Sequence, residues 1–74
     1  MEIYKDIDND SGVSSYSYNK DSIIVQFKDG KSYEYTQQSA GAHHIEKMKE
    51  LADKGDGLND YINEHVRKKY LRKI

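Results

Sequence analysis

The chain has 74 residues with no cysteine, tryptophan or proline, and its formal net charge is −1. This length allows one domain at most, and the lack of cysteine excludes a stabilising disulfide and is typical of a reducing compartment. Seven tyrosines must supply most of the large core side chains. The charge is uneven, because residues 1–60 carry −5 and residues 61–74 carry +4.

The N-terminal residues predict a lead-in to a single domain. The first six residues have neither a basic stretch nor an apolar run, so we expect no secretory signal. The longest aliphatic run, residues 23–25, is far short of the roughly 20 residues that span a membrane. We therefore expect a cytoplasmic protein with no membrane partner.

Residues 1–11 are interpreted as an acidic lead-in whose order the sequence leaves open, and residues 12–74 as one domain.

Residues 13–36 are rich in β-branched and aromatic residues and contain two turn clusters, which predicts three antiparallel strands. In the second turn, a two-residue loop would put Val25 and Phe27 on the face opposite the tyrosines of the next strand. A three-residue loop with Gly30 in the left-handed conformation pairs Val25 with Tyr33. Because a slip of one residue moves every side chain across the sheet, we predict the three-residue loop, which gathers the apolar side chains.

The first turn agrees with this register. A four-residue turn at 19–22 pairs Tyr18 with Ile23 and Tyr16 with Val25. The predicted inner face then carries four tyrosines, Tyr16, Tyr18, Tyr33 and Tyr35. We predict that these rings pack in the core, with their hydroxyls at the rim, instead of stacking bases on an open sheet.

From Ser39 onward the apolar spacing is that of a helix. Ser39 is the predicted N-cap of a first helix that ends at Gly55. After Gly57, apolar residues recur at spacings of three and four as far as Tyr70, which predicts a second helix. The sequence therefore predicts an α+β fold, a three-stranded antiparallel β-meander with two C-terminal helices packed on one face.

Two motifs resemble those of a known family. The spacing of apolar and aromatic residues from Val13 to Tyr35, including Tyr33-x-Tyr35, and the later Asn59-x-x-Ile62 are similar to the KTSC domain. This domain occurs at the C-terminus of some lysyl-tRNA synthetases and as free-standing small bacterial proteins. The proline that usually follows the Tyr-x-Tyr motif is missing here. The resemblance implies the fold and the RNA binding that has been suggested for a family of unestablished function. The register predicts a core position for both motif tyrosines, Tyr33 and Tyr35.

The basic C-terminal segment is the candidate binding site. It carries five cations, Arg67, Lys68, Lys69, Arg72 and Lys73. These cations could neutralise phosphates along a nucleic acid. The alternative, which the frequency of basic helix ends favours, is that they complement the dipole at a helix C-terminus and keep a small protein soluble.

Other chemistries lack a motif. His43 and His44 are adjacent, so on a helix they point about 100° apart and cannot converge on one ion. Neither a nucleophile elbow nor a phosphate-binding glycine loop is present in the sequence. We therefore expect no metal site, no cofactor and no enzymatic activity.

Two functions remain open. The first is binding of RNA or another polyanion through a basic C-terminal helix. The alternative is a protein–protein interaction module or homodimer without a nucleic-acid role, for which an exposed strand edge would be available.

Overall fold

The computed structural model describes residues 1–7, 9 and 11–74 and has helices packed on one face of an antiparallel sheet. Within these residues, five strands lie in chain order across the sheet: β1 (Glu2–Ile3), β2 (Val13–Tyr18), β3 (Ser22–Phe27), β4 (Ser32–Thr36) and β5 (Arg72–Lys73). The helices are α1 (Gln37–Ala40), α2 (Ala42–Lys54) and α3 (Leu58–Tyr61), and α3 continues as a π-helical turn over Ile62–Val66.

The α+β class and the packing of helices against one sheet face are confirmed. The predicted strand number is wrong, because the described residues form five strands and not three. The helices are not all C-terminal either, since β5 follows them. In the described part of the chain, no helix has both the length and the apolar character needed to cross a membrane.

The predicted register of both hairpins is confirmed. Val25 pairs with both Tyr16 and Tyr33, one on each side. At the second turn, the amide of Phe27 donates to the carbonyl of Lys31 at 2.8 Å, which closes a three-residue loop. Gly30 has a φ of 90° in this loop, a conformation that disfavours any residue with a Cβ.

The first residues of the predicted lead-in belong to the fold. Glu2 and Ile3 extend the sheet beside β2. Tyr4 is buried, and its hydroxyl accepts a 3.2 Å hydrogen bond from the amide of Leu58 at the start of α3. This bond satisfies one of the free amides at a helix N-terminus. Positions 8 and 10 of the same predicted segment lie outside the described residues.

The core lies between the inner sheet face and the helices. Besides Tyr35, its largest fully buried side chains come from both layers: Val13, Ile23, Val25, Ile45, Met48, Leu58 and Val66. Of the inner-face tyrosines, Tyr16 and Tyr35 are buried, and Tyr33 packs against the core with part of its ring exposed. The predicted core position is wrong for Tyr18, which lies at the rim, 45% exposed, with its hydroxyl donating to Asp53 at 2.7 Å.

The prediction of Ser39 as an N-cap is wrong. Thr36 caps α1, and its hydroxyl oxygen accepts from the Ser39 amide while the Ser39 hydroxyl oxygen accepts from the Thr36 amide, each at 3.0 Å. This reciprocal pair is a capping box, in which Ser39 takes the third helical position. Gly41 then separates α1 from α2, and Gly55 ends α2 in the left-handed conformation, as predicted.

The prediction that the second helix extends to Tyr70 is also wrong. The π-helical turn ends at Val66, and after Arg67 the chain turns back toward the free edge of β4. There the amide of Leu71 donates to the carbonyl of Glu34, and Arg72 pairs with the Glu34 carboxylate at 2.7 Å. The backbone of this segment therefore finds its hydrogen-bond partners on the sheet and not in a further helical turn.

Candidate functional site

A cleft of about 400 Å³ opens between the turn of the β3–β4 hairpin and the chain that follows the last helix. Four aromatic side chains line it: Phe27, Tyr33, Tyr35 and Tyr70. The buried Ile62 adds an aliphatic surface, and Lys28, Asp29 and Arg67 contribute charged groups. We refer to this site as the aromatic cleft.

The hairpin register sets one side of the aromatic cleft. Since Val25 pairs with Tyr33, Phe27 and Tyr33 lie on the same face of the sheet. Their ring centroids are 5.7 Å apart with an angle of 74° between the planes, the edge-to-face geometry that aromatic pairs prefer. Both rings are thus fixed by paired strands.

Tyr70 forms the other side. Its ring centroid lies 4.9 Å from that of Tyr33 and 6.4 Å from that of Tyr35. Phe27, Tyr33 and Tyr70 are only partly buried, whereas Tyr35 is 2% exposed. Three of the four rings therefore offer accessible aromatic surface to a ligand.

The two tyrosines of the Tyr-x-Tyr motif have different surroundings. Tyr35 belongs to the core, and burial raises its pKa to about 12. Tyr33 packs against the core while its ring also lines the cleft. The ammonium of Lys73 lies 5.9 Å from the Tyr33 ring centroid, at the outer limit of a cation–π contact.

The helical side of the aromatic cleft is the π-helical turn at Ile62–Val66. Turns with this hydrogen-bond pattern are rare and occur frequently at functional sites. Asn63 within the turn and Arg67 directly after it both line the cleft. The turn thereby places an amide and a guanidinium beside the aromatic rings.

The charges around the aromatic cleft are mixed. Arg67 is exposed on the C-terminal side. On the hairpin side, the Lys28 ammonium pairs with the Asp6 carboxylate at 2.9 Å. Asp29 is the acidic residue of the lining, and one of its oxygens accepts from the Lys31 amide at 3.0 Å. Among the described residues that line the cleft, Arg67 on the C-terminal side is thus the cation that forms no ion pair.

The five predicted cations do not share one helical face. Arg67 and Lys68 occupy the turn after the helix, Lys69 follows in an irregular stretch, and Arg72 and Lys73 form β5. Arg67 and Lys73 lie near the aromatic cleft, and Arg72 is paired with Glu34. All five are exposed, and among the described residues only Arg72 of the five takes part in an ion pair. We call residues 67–73 the basic segment.

Sequence reasoning missed Phe27 and Asn63 as cleft residues. The register indicates that Phe27 shares a face with Tyr33, and this signal could have placed the two rings together. No sequence pattern indicates the π-helical turn that brings Asn63 to the site.

A second cluster surrounds His44, which the sequence presents only as a neighbour of His43. Nδ1 of His44 lies 2.6 Å from the Tyr61 hydroxyl, and the His44 and His65 rings stack with centroids 5.6 Å apart. Burial lowers the pKa of His44, and the charges of His43, His65 and Lys69 lower it further. Among the described residues, no group of three or more His, Asp or Glu side chains has an arrangement that could hold a metal ion.

At the opposite end of the sheet, two tyrosines share one carboxylate. The hydroxyls of Tyr16 and Tyr18 donate to the two oxygens of Asp53 at 2.9 and 2.7 Å. Burial, with the hydrogen bond to Asp53, raises the pKa of Tyr16 to about 12. Both carboxylate oxygens already have hydrogen-bond partners, so this group fastens α2 to β2.

Comparisons with protein-family models, with curated proteins and with solved structures found no match. The resemblance to the KTSC domain therefore rests on the sequence motifs alone.

Proposed function

We propose that this KTSC-like domain is a cytoplasmic protein that binds nucleic acid through its basic segment. RNA is the proposed ligand. The observation that carries the proposal is that Arg67, Lys68, Lys69 and Lys73 are exposed and, in the part of the chain that the structure describes, form no ion pair. Exposed cations of this kind neutralise phosphates and release condensed counterions, which drives binding that is independent of sequence.

The position at which the helix ends supports a binding role for the basic segment. Cations complement a helix dipole only within the last turn of the helix. Lys69 lies beyond the end of the helix, and Lys73 lies on a strand. Their charge therefore does little for the helix and remains available to an external anion.

The salt dependence of binding gives a quantitative expectation. Arg72 is engaged with Glu34 at 2.7 Å, so four cations are free to contact phosphates. Each contact with a single strand contributes about −0.7 to the slope of log K against log salt, so four give about −2.8. Binding should therefore weaken steeply between low and physiological salt.

The test is fluorescence anisotropy with a labelled single-stranded RNA of mixed sequence at ~50 mM salt. Lys68→Glu with Lys69→Glu should weaken binding more than about tenfold. The matched control is Lys20→Glu with Lys54→Glu, which makes the same change in net charge at exposed positions distant from the basic segment. Circular dichroism checks that both variants fold.

Two results would contradict the proposal. One is no detectable binding by the unaltered protein at ~50 mM salt. The other is an equal loss in the control variant, because that would indicate a general effect of net charge and not contacts by the basic segment.

Self-association is the second candidate function. The outer strands β1 and β5 are two residues long, and apolar side chains beside them are exposed: Ile3 by 81%, Leu71 by 57% and Ile74 by 63%. The unpaired backbone groups of a sheet edge can pair with another chain, and exposed apolar side chains at the edge favour such an association. Size exclusion with light scattering over micromolar concentrations tests this, and a constant monomer mass would exclude it.

A further inference from the structure

We infer that the aromatic cleft receives one unstacked base of a single-stranded nucleic acid whose phosphates contact the basic segment. This inference rests on the proposed function and adds the class of nucleic acid, which is unpaired strand and not duplex.

The size of the aromatic cleft favours a single planar group. Its volume of about 400 Å³ is at the lower end of the range for small-ligand sites, about 300–1,000 Å³. The bases of a duplex are stacked and paired, so a duplex cannot place one of them between the hairpin and Tyr70. An unpaired strand can turn a base out of its stack.

The surface of the cleft favours a heterocycle over an aliphatic ligand. Phe27, Tyr33 and Tyr70 retain accessible ring surface, and their tilted packing leaves ring faces and edges pointing in different directions. Every base has a π-face that stacks on such rings whatever its sequence. The adjacent π-helical turn adds the Asn63 amide, which can pair with the polar edge of an inserted base.

The charges set the orientation of the strand. Arg67 lines the cleft on the C-terminal side, and the Lys73 ammonium lies 5.9 Å from the Tyr33 ring centroid. Asp29 makes the hairpin side less favourable for a phosphate. The sugar–phosphate chain should therefore pass along the basic segment while its base points toward Phe27.

This charge pattern distinguishes a nucleotide from the other ligand of aromatic grooves, a proline-rich peptide. Such a peptide needs aromatic rings but no cations. The juxtaposition of Arg67 and Lys73 with three accessible rings matches a ligand in which a phosphate adjoins a planar ring.

The experiment compares three labelled nucleic acids of equal length with the unaltered protein: single-stranded RNA, the same strand with abasic positions throughout, and an RNA duplex. We expect the single strand to bind about 5- to 150-fold more tightly than the abasic strand, the range for stacking of one base. Equal affinity for the single strand and the abasic strand would overturn the inference.

A substitution locates the effect. Tyr70→Leu keeps an apolar side chain but removes the π-face, and it should weaken single-strand binding about 5- to 150-fold while leaving abasic-strand binding unchanged. Tyr18→Leu is the matched control, since Tyr18 is exposed at the opposite end of the sheet, and it should change affinity less than about twofold. Single-strand binding by Tyr70→Leu equal to that of the unaltered protein would also overturn the inference.

The inference and the proposed function can fail separately. Binding to all three nucleic acids with one affinity would sink the inference and leave the proposed function standing. Absence of binding to any of them at ~50 mM salt would sink both.

Discussion

Gly55 offers the sharpest test of how the N-terminal residues are attached to the domain. It ends α2 with a φ of 77°, and its amide donates to the carbonyls of Leu51 and Ala52. A Cβ at this position would lie 2.6 Å from Cβ of Lys5 and 3.4 Å from its Cα. Since one of these atoms belongs to the main chain, Gly55→Ala must displace the residues that connect β1 to the domain.

The expected magnitude has two parts. A Cβ in the left-handed conformation costs about 1–2 kcal/mol. Displacing Lys5 would also break the 2.9 Å hydrogen bond from the Ile7 amide to the Gly55 carbonyl. Such a bond contributes about 1 kcal/mol to stability. We therefore expect Gly55→Ala to lower the free energy of unfolding by about 2–3 kcal/mol.

Gly57→Ala is the matched control. Gly57 has a similar φ of 81°, but the nearest atom to a Cβ there is 3.8 Å away, which is an ordinary contact. This control should cost only the conformational part, about 1–2 kcal/mol. Urea unfolding followed by circular dichroism measures both variants.

A third variant isolates the contact. When Lys5→Gly has already removed the Cβ that clashes, Gly55→Ala should cost about 1 kcal/mol less than it does in the unaltered protein. Equal destabilisation by Gly55→Ala and Gly57→Ala, with no coupling to Lys5, would refute the reasoning. In that case residues 1–7 would not pack against Gly55 in solution.

The pH dependence of stability provides two further predictions. Burial and the charges of His43, His65 and Lys69 lower the pKa of His44 below 6.5. The unfolded chain then binds the proton more readily, so stability is full above pH 6.5 and falls as the pH drops below it. Urea unfolding above and below pH 6.5 should show a smaller loss of stability on acidification for His44→Gln than for the unaltered protein. An equal loss in the two proteins would contradict this. Burial raises the pKa of Tyr35 to about 12, so stability present below pH 10 should be lost as the pH rises toward 12. Tyr35→Phe should reduce this alkaline loss, and an equal loss in the variant would exclude Tyr35 as its source.

The central sheet could be predicted because its determinants are local. Turn chemistry at Gly30 and the alternation of apolar residues each favour the same register, and the structure has that register. The face that packs under the helices follows from the register, which is why the buried positions of Tyr16 and Tyr35 were also predicted.

The N-terminal strand could not be predicted in the same way. Glu2 and Ile3 are both exposed, so the two-residue strand has no apolar alternation. It is held by contacts with residues far away in the chain, namely the pairing with β2 and the hydrogen bond between the Tyr4 hydroxyl and the amide of Leu58, 54 residues away. A single buried aromatic residue before an acidic stretch gives no periodic signal.

The candidate site depends on the segment after Val66, which the sequence predicted as helix and which leaves the helix instead. Tyr70 follows Val66 by four residues, so on a continued helix its side chain would face the core. The side chain also reaches the core when the chain leaves the helix and turns back to the sheet. The return is favoured because Leu71 and Arg72 find partners on Glu34, at 2.6 and 2.7 Å, that a continued helix would not reach. Leaving the helix at Val66 is also what brings the Tyr70 ring to 4.9 Å from that of Tyr33. A helical basic segment would offer phosphate contacts alone, whereas the observed path joins those cations to an aromatic cleft.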